Sequence, residues 1–207
     1  SNIVDVYMLT RNYDVQFTRW LKGLDSVKPL PPSTNQMFFD YGKQLNNIKS
    51  ISDEIVYHPV NYKVLFGNKA ESALQATIKV VKNNEVVVSD NDIKTRIVIA
   101  IDEFFDLQNW DFGDTFYWSE LSSFITYNLA PDIVSIVIVP DAATSAFGSI
   151  FQVNSESNEI FKSGATVSDI EIIDEITEAK LKASGTITYA SNSTVGISSA
   201  SFNGGSQ

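Results

Sequence analysis

Apolar and polar positions alternate from Ile3 to Leu9, the period of a half-buried strand. The next stretch, RNYDVQFTRWLKGL, fits either a strand or a short helix and stops at Gly23. KPLPPST (Lys28 to Thr34) predicts an extended, turn-rich connection, because each proline biases the residue before it away from helix. The polar NNIKSISDE leads into VYHPVNYKVLFG, which predicts a strand around Tyr62 to Phe66 with Gly67 as its stop. ATIKVVKNNEVVV then reads as a strand, a turn at Asn83–Asn84 and a second short extended run.

A helical period takes over in SDNDIKTRIVIAIDEFF. Ser89 or Asp90 can cap it, and Ile93, Ile97, Ala100, Ile101, Phe104 and Phe105 recur at spacings of three and four. A second helix is predicted over Glu120 to Leu129, with Leu121, Phe124, Ile125 and Leu129 inward and Pro131 ending it. The β-branched IVSIVIV (Ile133 to Val139) predicts a strand buried on both faces. Further strands are expected around Phe147 to Val153 and Glu159 to Lys162. SDIEIIDEITEAKLKASG offers a capping box, Ser168 with Glu171, and a staple, Val167 with Ile172, so a helix is expected there. Acids lead it and Lys180 and Lys182 trail, which suits the helix dipole; a strand over Ile170 to Ile173 competes. The tail, SNSTVGISSASFNGGSQ, has too few apolar residues to order itself, so an ordered tail would need support from outside.

Strands and helices without regular alternation predict an α+β fold: a mixed sheet with packed helices, in two small subdomains plus a Ser/Gly-rich tail. The expected segments are 1–50 (a strand and an irregular Pro-rich connection), 51–166 (a central α+β domain), 167–190 (a helix or strand element) and 191–207 (the polar tail).

Charge narrows the partners. A net charge of -10, with only 15 basic residues, argues against nucleic acid, which demands clustered Lys and Arg. Lys79 and Lys82 are the nearest approach to a basic patch. Without cysteine there is no disulfide, thiolate metal site or cysteine nucleophile. Ile136 to Val139 is too short an apolar window to span a membrane. The start, SNIVDVYML, has an early acid, no basic region and no initiating Met, so a segment of a longer polypeptide is expected rather than a signal peptide.

Candidate chemistry is sparse. DFG (Asp111, Phe112, Gly113) lacks the glycine-rich loop, strand lysine and H-R-D that a kinase site requires, and reads as an aromatic turn with Gly113 at positive φ. His58 is the single histidine, and no G-x-S-x-G elbow supplies it with a nucleophile; zinc is equally implausible. Neither a calcium loop nor a nucleotide motif is present. Asp102, Glu103 and Asp106, with Asp111 and Asp114 beside aromatic rings, could imitate a glycosidase pair. The plainer reading makes the first three the solvated face of a helix. No catalytic, cofactor-binding or metal residue is therefore assigned.

The aromatic stretch NWDFGDTFYW is denser than one short connection can bury. Alternation sends Phe116 and Trp118 to one side and Tyr117 to the other. Trp110, Phe112 and Tyr117 are candidate interface residues, aromatics being enriched in binding hot spots; that all five rings merely cement helices to a sheet stays open.

Longer blocks carry a resemblance. LPPSTNQMFFDYGKQLNNIKSISDEIVYHPVNYKVLFG, SDNDIKTRIVIAIDEFFDLQNWDFGDTFYWSEL, LAPDIVSIVIVPD and FGSIFQVNSESNEIFKSGATVSDIEIIDEITEAKLKASG resemble the C-terminal part of the inner-ring baseplate wedge subunit of T-even-type contractile phage tails, a relative of the baseplate J-like proteins. The serine-rich end departs from that pattern. The resemblance implies a structural, non-enzymatic protein of the virion tail baseplate, assembled in the host cytoplasm. It implies a homodimer that joins other wedge subunits in a sixfold ring, with no nucleic acid, membrane or small-molecule ligand. The alternative is a carbohydrate-binding or carbohydrate-cleaving tail module.

Overall fold

The computed structural model describes residues 2–49, 53–142, 146–148 and 151–174. The fold is α+β, as expected, and the chain falls into two compact units. The first gathers 1–63, 110–114 and 155–161; the second takes 64–109, 115–154 and the chain from 162 onward. The predicted helix and tail beyond residue 174 lie outside the described residues.

In the first unit, β1 (Ile3–Met8) pairs in parallel with β2 (Glu54–Pro59), in the register Tyr7↔His58. Between them RNYDVQFTRWLKGL resolves to a helix, α1 (Arg11–Leu21). The Thr10 hydroxyl accepts a hydrogen bond from the Tyr13 amide, satisfying one orphan donor of the first turn. Tyr13, Phe17 and Trp20, spaced by four and three, form the buried face. Their rings meet Tyr62, with the Phe17–Tyr62 centroids 5.0 Å apart and Tyr13–Tyr62 5.7 Å apart. The proline-rich connection carries no helix or strand from Lys28 to Ser33, but a helix begins at Thr34, the last residue of the predicted connection. Ser33 caps a helix, α2 (Thr34–Tyr41), with Met37 buried, and a single turn, α3 (Asn46–Lys49), follows. β2 lies ahead of the strand predicted around Tyr62 to Phe66; Pro59 sits at its last position, where a missing N–H costs little.

β3 (Asn61–Leu65) and β8 (Glu159–Ser163) pair as a two-stranded sheet. In the second unit, β4 (Ala76–Lys82) is the centre of a mixed sheet. It runs antiparallel to β6 (Ile133–Pro140) and parallel to β9 (Ile170–Ile173). α4 (Asp90–Phe104) is capped by Ser89 and buries Ile93, Ile97, Ala100 and Ile101, the predicted face. α5 (Trp118–Leu129) starts two residues before its predicted beginning and buries Leu121, Ile125 and Leu129. The two helices pack on each other, α5 also against β6 and α4 against β9. A second cluster stacks Phe66 on Phe147, centroids 5.9 Å apart, with Phe105 and Phe116 edge-on to Phe66. Phe116 belongs to β5 (Thr115–Tyr117), which pairs antiparallel with β7 (Gln152–Asn154).

Four expectations need correction. The run after Asn83–Asn84 forms no strand: both neighbours of β4 come from distant sequence, and Val87 is left fully exposed. β6 is not buried on both faces; as an outer strand of this three-stranded sheet it leaves Val134 64% exposed. The strand expected from Phe147 shrinks to Gln152–Asn154, with Phe147 in a turn filling the aromatic cluster. Finally, the helix predicted from Ser168 is absent over 168–174. Thr166, not Ser168, makes the capping box, with Asp169, and the turn it caps lasts only Val167–Asp169. The β-branched run behind it is drawn into parallel pairing with β4, which buries Ile170 and Ile173 and leaves Val167 exposed rather than stapled.

Candidate functional site

The aromatic turn is built by backbone chemistry. The Asp111 amide donates to the Asp114 carboxylate at 2.7 Å, and the Gly113 amide donates to the Glu159 carbonyl at 3.1 Å. Gly113 takes φ +81°, a conformation that strains any side chain. The Ser155 hydroxyl donates to the Asp114 carbonyl at 2.7 Å and fastens the far side. DFG is thus a hydrogen-bonded turn, the arrangement read from the sequence.

The three candidate interface residues fall in both units. In the first, Trp110 is half-buried with its ring 5.2 Å from Phe161 in an edge-on pair, while Phe112 stays partly exposed. In the second, Tyr117 is partly exposed on β5 and its neighbour Phe116 is fully buried, the alternation predicted for them. Trp118 opens α5 and is half-buried, its amide held by the Phe151 carbonyl at 2.9 Å.

The carboxylates do not converge. Asp102, Glu103 and Asp106 are exposed at the end of α4, and Asp106 accepts the Gln108 amide at 2.9 Å, a local turn contact. His58 places Nε2 2.7 Å from the Asp5 carboxylate and stacks on Tyr7 at 4.6 Å, so its neighbours are those of a strand pair. No group of three His, Cys, Asp or Glu among the described residues could hold a metal ion, and no helix there is long and apolar enough to cross a membrane.

Lys79 and Lys82 form no basic patch. Lys79 is fully buried on β4, its ammonium 3.1 Å from Glu171, the residue opposite it on β9. Lys82 bonds Asp90 at 2.7 Å and the Val88 carbonyl at 3.1 Å. The Tyr62 hydroxyl donates to Asp14 and its amide donates to the Tyr13 hydroxyl at 3.2 Å. Burial, reinforced by Asp14, pushes the Tyr62 phenol well above its ordinary range, and burial raises Tyr13 as well. These phenols are held protonated at neutral pH and brace α1 against β3.

A further group of exposed apolar side chains lies outside the predicted aromatic stretch. In the first unit Leu24, Val27 and Leu30 of the connection and Phe39 of α2 stand in solvent, the last three between 77% and 82% exposed. Phe38 beside them is half-exposed, its ring edge-on to Tyr57 at 6.0 Å. A cleft of about 290 Å³, lined by Asn12 and Gln16 of α1, Leu30 and Pro32 of the connection and Gln36 and Asp40 of α2, sets these segments side by side. Single exposed apolar residues are commonplace; here several follow one another along adjoining segments. The signal was present as MFF within a short amphipathic helix, masked by the prolines before it.

Comparison with known proteins finds no matching family model and no matching curated protein.

Proposed function

We propose that this chain is a structural subunit of a contractile-tail baseplate wedge, which works by adhesion and not by catalysis. It pairs with a second copy of itself and joins other wedge proteins in a ring around the tail hub. The reading is carried by the long sequence blocks that resemble the inner-ring wedge subunit, from LPPSTNQMFFDYG to the end of DEITEAKLKASG. It is supported by the exposed apolar series of the first unit, which costs solvation in an isolated chain and is recovered on contact. A ring subunit requires at least one surface for its own kind and one for a different neighbour. Trp110, Phe112 and Tyr117 supply part of one such contact.

Co-expression with the remaining wedge proteins of a contractile tail, followed by size-exclusion chromatography and electron microscopy, tests the reading. Co-elution in a particle larger than any component is expected. A chain that elutes alone with every wedge protein present would sink the proposal. The triple substitution of Trp110, Phe112 and Tyr117 to Ala is expected to reduce co-elution at unchanged helical content; undiminished assembly would remove those rings from the contact.

A further inference from the structure

The charge of this chain is unevenly placed. Residues 11–49 hold six basic residues (Arg11, Arg19, Lys22, Lys28, Lys43, Lys49) against three acidic ones (Asp14, Asp25, Asp40), a net charge of +3. The chain as a whole is at -10, so the other residues carry -13. The structure sharpens the contrast, because each acid of this segment is already engaged. Asp14 accepts the Tyr62 hydroxyl, Asp25 takes the Arg19 guanidinium at 2.9 and 3.1 Å, and Asp40 accepts Gln36 at 2.9 Å. Arg11, Lys22, Lys28 and Lys43 are exposed, and none has a carboxylate partner among the described residues; Lys28 lies over the Trp20 ring at 5.5 Å. These cations accompany the exposed Leu24, Val27, Leu30 and Phe39. Apolar side chains with cations near them in the sequence suit a protein contact with an acidic counterpart.

The second unit carries such a counterpart. On α4, Ile99, Asp102 and Glu103 fall at positions i, i+3 and i+4 and line one face, and Asp106 follows just past the helix end. All are exposed, as is Leu107 next to them. This stripe pairs acids with exposed apolar side chains, the complement of the basic segment in both properties.

Deepening the proposed function and resting on its self-association, we infer that the α1–connection–α2 surface of one copy docks on the acidic face of α4 of a second copy. Leu30 and Phe39 supply apolar burial, while Lys22, Lys28 and Lys43 face Asp102, Glu103 and Asp106. Each copy carries both halves of the contact. Two copies can therefore make it twice, or successive copies can propagate it around a ring.

The experiment is a charge swap read by sedimentation velocity. One variant carries Lys22→Glu, Lys28→Glu and Lys43→Glu; the other carries Asp102→Lys and Glu103→Lys. All five positions are exposed, and circular dichroism melting confirms that each variant folds. Each variant alone is expected to associate at least about tenfold more weakly than the wild type. An equimolar mixture regains wild-type association, because reversed charge meets reversed charge and native meets native. If the wild type associates and the lysine variant does so equally well, the surface is wrong while the assembly reading stands. If the wild type is monomeric at every concentration, both fall. Binding of the wild type to phosphatidylserine vesicles, lost in the lysine variant and without self-association, would overturn the second-copy occupant in favour of a membrane.

Discussion

Gly67 and Gly113 both adopt positive φ, yet their surroundings differ enough to separate the two costs of replacing them. A Cβ on Gly67, at φ +75°, would lie 1.9 Å from the Gly164 carbonyl oxygen, a backbone atom that cannot swing away. On Gly113, at φ +81°, the closest approach is an ordinary 3.5 Å to Ser157. Gly113→Ala is expected to cost roughly 1–2 kcal/mol, the strain of a left-handed residue. Gly67→Ala adds a backbone collision and is expected to exceed about 3 kcal/mol. Urea unfolding of both variants checks the ranking, and equal costs would contradict it. Of this, the turn at Gly113 and the stop at Gly67 were legible in the sequence. The approach of Gly67 to Gly164 was not, since nothing local links two glycines 97 positions apart.

Tyr62 supplies a pH dependence at the same scale. Its folded-state value is raised above the ordinary 10.0 by burial first and by Asp14 second. A group raised in this way gives its full stabilisation below about pH 10 and loses it as pH climbs toward the folded value, because only the unfolded phenol ionises in that window. Unfolding free energy is therefore expected to fall above about pH 10, and less steeply in Tyr62→Phe. Denaturation curves between pH 8 and 11 decide it; parallel slopes for the two proteins would refute the role of Tyr62.

At the scale of elements, periodicity succeeded where a helix could bury a stripe and failed where two structures shared one pattern. α4 was readable because its cap and its apolar spacing agree. Ser89→Ala is expected to cost about 1 kcal/mol by leaving the Asp92 amide without its acceptor. Thermal melts of the variant test this, and an unchanged midpoint would mean that Asp90 or water substitutes. Ile170 to Ile173 shows the opposite case. Acid placement and a plausible cap argued for helix, but four residues of β-branched and acidic character beside an open strand gain more from pairing. The parallel partner, and the buried Lys79 that Glu171 meets, come from some ninety residues away in the sequence. Likewise α2 followed a proline cluster that bends the chain without forbidding a capped helix immediately afterwards.

Over the whole molecule, composition described the average and concealed the distribution. A chain at -10 reads as uniformly acidic, while residues 11–49 are positive and carry the most exposed apolar side chains of the first unit. The mixed sheet with packed helices was legible in the sequence; which apolar side chains stay exposed was not, because exposure is decided by distant packing. The exposed apolar series and the charge contrast are the features on which the proposed self-association rests. The account therefore predicts a protein that sticks to its own kind. Sedimentation velocity of the purified chain across a hundredfold range of concentration measures this most directly. The expected result is a weight-average mass that rises from one chain toward two or more; a constant single-chain mass over the whole range would contradict the account.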